Sequence, residues 1–117
     1  MNDGAGRYRT PARIERVSAA APKGRDGKVN LADDASWETY CDRRVEERQI
    51  GGREQMYAQQ VLADVTGLYR LRADTTTECI TARMRLRLGC RVLNIVRALR
   101  IGNPVREIEL QCLEVTA

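Results

Sequence analysis

Apolar and polar residues alternate along much of this chain with a period of two. "ARMRLRLG" (Ala82 to Gly89) is the clearest case. Met84, Leu86 and Leu88 alternate with Arg83, Arg85 and Arg87, which predicts a half-buried strand with an arginine row on its outer face. "CRVLNIVRAL" (Cys90 to Leu99) follows at once, so the two segments predict a hairpin through Gly89. "IGNPV" brings Gly102, Asn103 and Pro104 together as turn chemistry. "VREIELQCLEV" then predicts a last strand, with Ile108, Leu110 and Cys112 on one face and Glu107, Glu109 and Gln111 on the other.

Upstream, "PARIERVS" predicts a first strand in which Ala12 and Ile14 alternate with Arg13 and Glu15. "WETYCDRRVEER" predicts a second, although Arg43 and Glu47 fall in line with Cys41 and Val45. "VLADVTGLYRLRA" predicts a third, with Val61, Ala63, Val65, Tyr69 and Leu71 on one parity. Residues 21–36 are a long loop by composition, residues 46–60 a second polar connection, and residues 1–8 a flexible N-terminus. Only residues 53–60 could form a helix of any length. Regularly spaced strands with few connections long enough for a crossover helix predict one all-β domain over residues 1–117. Its form is a small antiparallel β-barrel or sandwich of about six strands, with at most one short helix. Met84, Leu86, Leu88, Ile108 and Leu110 are expected to share its core.

Composition narrows the chemistry. The chain has 117 residues, 43% of them apolar, enough for a core without staples. It has no histidine, which removes the commonest general base and every Ser-His or Cys-His nucleophile. The carboxylates sit in charge runs such as "VEER" and "ADD", and neither "GAG" nor "GG" at 51–52 opens a strand–helix phosphate cradle. Catalysis and a bound cofactor are therefore not expected. Cys41, Cys79, Cys90 and Cys112 lack C-x-x-C spacing, so buried free thiols on strands are expected rather than a metal site. No apolar run approaches a membrane span and "MNDGAGRYRT" lacks a signal-peptide core, so no membrane is expected and the protein is expected to be used in the cytosol or in a particle assembled there.

Charge adds a further constraint. The formal net charge is +4, and arginines outnumber lysines by 18 to 2. Arginine presents a planar fork suited to carboxylates, phosphates and interfaces. Residues 1–30 carry +7 and −3, residues 31–60 carry +4 and −7, and residues 61–117 carry +9 and −6. That layout suits subunits docking on copies of themselves, or a basic barrel that binds nucleic acid. Trp37 and four tyrosines are the only aromatic residues, a poor platform for stacking single-stranded bases.

The order of motifs resembles a known family. "RYRTPARIER" leads to a Gly-containing loop, Trp37 opens the next strand, and "GGREQMYAQQ", "VTGLYRLRA", "TARMRL" and "EIELQCLEV" follow, with Trp37 fifteen residues before Gly52. This resembles the head–tail joining proteins of long-tailed bacteriophages, also called head-closure or stopper proteins, over nearly the whole chain. Gene transfer agents use similar parts. The resemblance implies a β-barrel subunit in a ring of six copies, placed in the head–tail connector and assembled in the bacterial host cytoplasm. Its implied partners are copies of itself, a portal-bound adaptor, a tail terminator or tail-tube protein, and packaged double-stranded DNA. It also implies that the polar connection after the second strand is a channel loop that closes on DNA and opens for ejection. On this sequence that loop would carry Arg48, Gln49, Gly51, Gly52, Arg53, Glu54 and Gln55. Arg83, Arg85 and Arg87 would face a neighbouring subunit or the DNA.

Overall fold

The computed structural model describes residues 7–48 and 65–115. Six strands form: β1 (Thr10–Val17), β2 (Trp37–Arg48), β3 (Gly67–Arg72), β4 (Arg85–Leu88), β5 (Arg91–Ile101) and β6 (Glu107–Glu114). They close in the order β1-β2-β3-β6-β5-β4, each neighbour antiparallel. β1 pairs with both β2 and β4, so the sheet has no free edge and the sandwich alternative falls away.

The period-two pattern works because each strand turns one parity into the barrel. Ile14, Val45, Leu71, Leu86, Leu93 and Leu110 are fully buried there, with Tyr69 and Cys112 beside them. Tyr69 supplies the ring that a phenylalanine-free sequence otherwise lacks, and it stands over Gly67: a Cβ on that glycine would meet the ring at 2.9 Å. The β4–β5 hairpin turns through Gly89 and Cys90, with Gly89 at φ +59°, the left-handed conformation that the first position of a tight hairpin turn requires. Gly102, at φ +97°, serves the β5–β6 turn in the same way.

Several expectations are corrected. β4 starts at Arg85, so Arg83 lies in the preceding turn and Met84 is only partly buried against the core edge. Arg85, expected on an exposed row, is buried at 4% exposure because the connection between β1 and β2 folds over it. That connection holds a bridge, Lys23 with Val29, and a 3-10 turn at Asp34–Ser36, with Ala21 and Ser36 buried. β2 runs on through Glu46, Glu47 and Arg48, each paired with β3, so the second connection starts after Arg48 rather than at Glu46. β3 begins at Gly67, and Val61 and Ala63 lie outside the described residues. Of residues 1–8, expected to be flexible, Tyr8 is buried and hydrogen-bonded. Cys41 and Cys112 are buried strand thiols, and burial pushes the Cys112 pKa up to about 12. Cys79 and Cys90 are instead exposed, because Cys79 ends a short 3-10 helix, Thr77–Cys79, and Cys90 lies in the β4–β5 turn.

Core position and core edge should respond differently to charge. Leu86→Asp places a carboxylate at a fully buried site, costing several kcal/mol, comparable with the stability of a small domain. It should abolish the cooperative thermal transition in circular dichroism. Met84→Asp should fold with a lowered melting temperature. A cooperatively folded Leu86→Asp protein would refute the strand parity.

Candidate functional site

The connection of residues 49–64 leaves and re-enters the barrel at one end, because its flanks are paired neighbours: Arg48 lies opposite Leu68 across β2 and β3. A polar lid built from four strands covers that end. Arg91, at the start of β5, donates to Glu114 of β6 at 2.8 Å and to the Tyr69 hydroxyl at 3.3 Å, and it approaches Glu47 of β2 at 3.7 Å. The hydrogen bond to Glu114 holds the Arg91 guanidinium firmly protonated, while burial raises the Tyr69 pKa. The returning flank is fixed to the same strand: the Thr66 amide donates to the Cys112 carbonyl at 2.8 Å, and the Glu114 amide donates to Thr66 Oγ1 at 2.8 Å. Glu47, out of place for a core-facing parity, thus belongs to the lid at the barrel mouth.

A second ionic array crosses the outer face of β2, β3 and β6. Arg7 donates to Glu46 at 3.0 and 3.1 Å and to Glu107 at 2.9 Å. Arg70 donates to Glu109 at 3.1 Å. Tyr8 donates its hydroxyl to Glu107 at 2.7 Å, and the Arg7 and Arg72 guanidinium groups lie 5.5 and 5.6 Å from its ring centroid. Burial first, then the Glu107 hydrogen bond, push the Tyr8 pKa up to about 12. The hydrogen bond from Arg7 holds the Glu46 carboxyl below the usual range. Tyr8 and Glu107 lie 99 residues apart in sequence. No local pattern announces such a pair; only the run of acids on the outer parity of β6 hints that cations must meet it.

The three arginines of the predicted row part company. Arg85 donates to Glu15 at 2.7 Å and to Asp34 at 2.9 Å, with its guanidinium 4.5 Å from the Trp37 ring centroid. Arg87 shares Asp34 at 3.1 Å and Glu15 at 3.5 Å. The Arg85 hydrogen bond and the Arg87 charge hold the Asp34 carboxyl low. Arg83 is exposed, and its side chain meets no partner among the described residues. Of the channel-loop residues, Arg48 closes β2 and lies 3.5 Å from Glu46; Gln49, Gly51, Gly52, Arg53, Glu54 and Gln55 lie outside the described residues. Sequence reasoning did not single out Arg97, Arg100 and Arg106. All three are exposed on the β5–β6 hairpin and have no carboxylate partner among the described residues. No group of three or more His, Cys, Asp or Glu among the described residues could hold a metal ion.

A family model described as phage head completion protein matches residues 4–115. The chain belongs to that family. Membership makes the protein a structural part of the phage head–tail connector, in contact with other head and tail proteins. The fold is shared with the solution structure of protein SF1141 from Shigella flexneri 2a. The two are 23% identical, with a TM-score of 0.61 over 97% of this chain and 96% of that one. No curated protein matches the chain.

Two measurements check this ionic reading. Arg85→Glu removes one partner from a buried ion pair and should destabilise the protein by about 3–5 kcal/mol in urea unfolding. Arg83→Glu should stay within about 0.5 kcal/mol of the parent. Equal effects would refute the assignment of Arg85, and not Arg83, to a buried ion pair. The second concerns acid. Glu46 has a folded pKa below its unfolded value, so its stabilisation is complete above the ordinary carboxylate range, about pH 4, and is lost as pH falls through the folded value. Glu46→Gln should therefore cost about 1 kcal/mol at pH 7, discounted for the partly exposed Arg7, and progressively less as the solution is acidified below about pH 4. A difference in melting temperature that stays constant over that range would contradict the Arg7–Glu46 pairing.

Proposed function

We propose that this head completion protein forms a ring of six identical subunits between a portal-bound adaptor and a tail terminator or tail-tube protein. The connection between β2 and β3 is the gate: it projects into the channel, retains packaged double-stranded DNA and moves aside for ejection. The particle is a tailed phage or a gene transfer agent, assembled in the bacterial host cytoplasm. The observation that supports this reading is the fixing of both flanks of residues 49–64 at one barrel end, by β2–β3 pairing on one side and by Thr66 with Cys112 and Glu114 on the other. A gate needs a stationary base, and the Arg91 lid beside those flanks supplies one. Arg48, Arg53, Gln49, Gln55 and Glu54 mix cations, amides and an acid, a composition that meets a phosphate backbone without holding it tightly, and Gly51 and Gly52 add backbone freedom.

Replacing residues 51–60 with a short Gly-Ser turn should leave the melting temperature of the isolated protein nearly unchanged. Particles carrying that variant should package DNA and then lose it, giving heads whose DNA becomes nuclease-sensitive. Full DNA retention together with normal delivery would defeat the gate assignment.

A second reading, a basic barrel that binds nucleic acid on its own, is favoured by Arg97, Arg100 and Arg106. Duplex binding by the isolated protein separates the two. Three phosphate contacts would give a slope of log affinity against log salt near −2.7, at about −0.9 per contact. A ring component should bind free duplex only weakly.

A further inference from the structure

Among the described residues the exposed large hydrophobic side chains are Val17 (37%), Leu31 (56%) and Val115 (46%). They come from the end of β1, the long β1–β2 connection and the residue after β6, yet all three line one groove of about 940 Å³. Trp37, Met84 and Val92 extend its apolar wall. Single exposed apolar residues are ordinary, but a group gathered in one concave site and rimmed by polar side chains marks an interaction surface. Its framework is held in place. Trp37 Nε1 donates to the Leu31 carbonyl at 2.9 Å, and Arg85 beneath ties Asp34 to β1.

We propose that this groove receives an apolar segment of an adjoining particle protein, and that the segment carries a carboxylate that meets Arg83. The proposal rests on the connector reading above and names a docking surface within it. Charge points to the carboxylate. Arg85 in the groove wall is consumed by Glu15 and Asp34, whereas Arg83 beside it has no side-chain partner among the described residues. The apolar surface points away from a second copy. Among the described residues the other large hydrophobic side chains are at least partly covered, so within those residues the matching exposed apolar surface on a copy is the same groove. Groove-to-groove contact is a two-fold arrangement, which cannot repeat head to tail around a ring. The closed barrel also leaves no strand edge for a partner to extend, so the segment seats through side chains rather than by adding a strand.

The test places a photo-crosslinking amino acid at position 31 of the full-length protein, in particles made by the host that encodes it. Cross-linked peptides are then identified by mass spectrometry. The expected product joins position 31 to a different particle protein, on a segment where apolar residues flank an aspartate or glutamate. Its yield should fall about tenfold when Arg83→Glu is added, since like charges would then face each other, and should survive Arg83→Lys. A product joining two copies of this chain, a product with residues 49–64, or no product from particles that contain the protein would each overturn the groove assignment. Absence of the protein from purified particles would instead overturn the connector reading beneath it.

Discussion

Barrel closure depends on the seam between β1 and β4. It is only three residue pairs long, Arg13 with Arg87, Ile14 with Leu86 and Glu15 with Arg85, as short as the β2–β3 ladder, while β5 and β6 pair over eight. A short seam gains little from its own ladder, so its side chains must hold it. On the inner face Ile14 and Leu86 are fully buried; on the outer face Arg85 bridges to Glu15. Taking two charges out of water costs several kcal/mol per ion, and a buried pair returns that only when its remaining hydrogen-bonding capacity is met. Asp34 and the Trp37 ring meet it for Arg85. The same guanidinium therefore closes the sheet, holds down the 3-10 turn and sets the entry into β2. The β1–β2 register shifts between Ile14 and Glu15, where Tyr40 is an extra residue in β2, at the stretch of β1 that also pairs with β4.

Both distinctive surfaces follow from that closure. With no sheet edge left, the chain can reach outward only through its connections and its outer faces. The β2–β3 connection is carried by a mouth that Arg91, Glu114, Glu47 and Tyr69 fill with polar contacts, so its flanks rest on a fixed base. The β1–β2 connection lies back across Arg85 and becomes one wall of the apolar groove. Both connections are polar in sequence, but one is pinned near its end by a buried cation, through Asp34, and the other is fixed at its flanks.

That difference explains what the sequence disclosed. Strand parity was legible wherever one face meets the core: Ile108, Leu110 and Cys112 of β6 and Ala12 and Ile14 of β1 lie where alternation puts them. The β4–β5 hairpin and the β5–β6 turn were legible through Gly89 and Gly102. Family membership was legible in the order of short motifs. Long-range pairing was not. Alternation assigns Arg85 to the outer face, and it does lie there; it carries no information that Asp34, 51 residues earlier, will cover it. Glu47 on the inner parity looked like a flaw in β2 and is a mouth residue whose partner, Arg91, comes from another strand. Tyr8 was assigned to a flexible end because its partner, Glu107, lies almost a chain length away.

The arginine excess takes on a different meaning once these pairs are known. Arg7, Arg13, Arg16, Arg43, Arg48, Arg70, Arg85, Arg87 and Arg91 each lie against a carboxylate of the same chain. The basic–acidic–basic layout is thus largely an internal matter: basic outer segments fold onto acids of β2 and of the β1–β2 connection. Most exposed pairs of this kind contribute little to stability. Arginine suits them because one planar fork can bridge two carboxylates on different elements, as Arg7 and Arg85 do, where a lysine ammonium acts as a compact point charge. The cations outside these pairs are spread over several faces: among the described residues Lys23, Arg25 and Lys28 lie in the β1–β2 connection, Arg44 on β2 and Arg72 on β3. Arg83 stands at the rim of the apolar groove, and Arg97, Arg100 and Arg106 stand on the β5–β6 hairpin. Of these, Arg83 alone joins exposed apolar surface in one groove while lying outside the internal pairs, so charge and apolar area coincide there and not at the other cations.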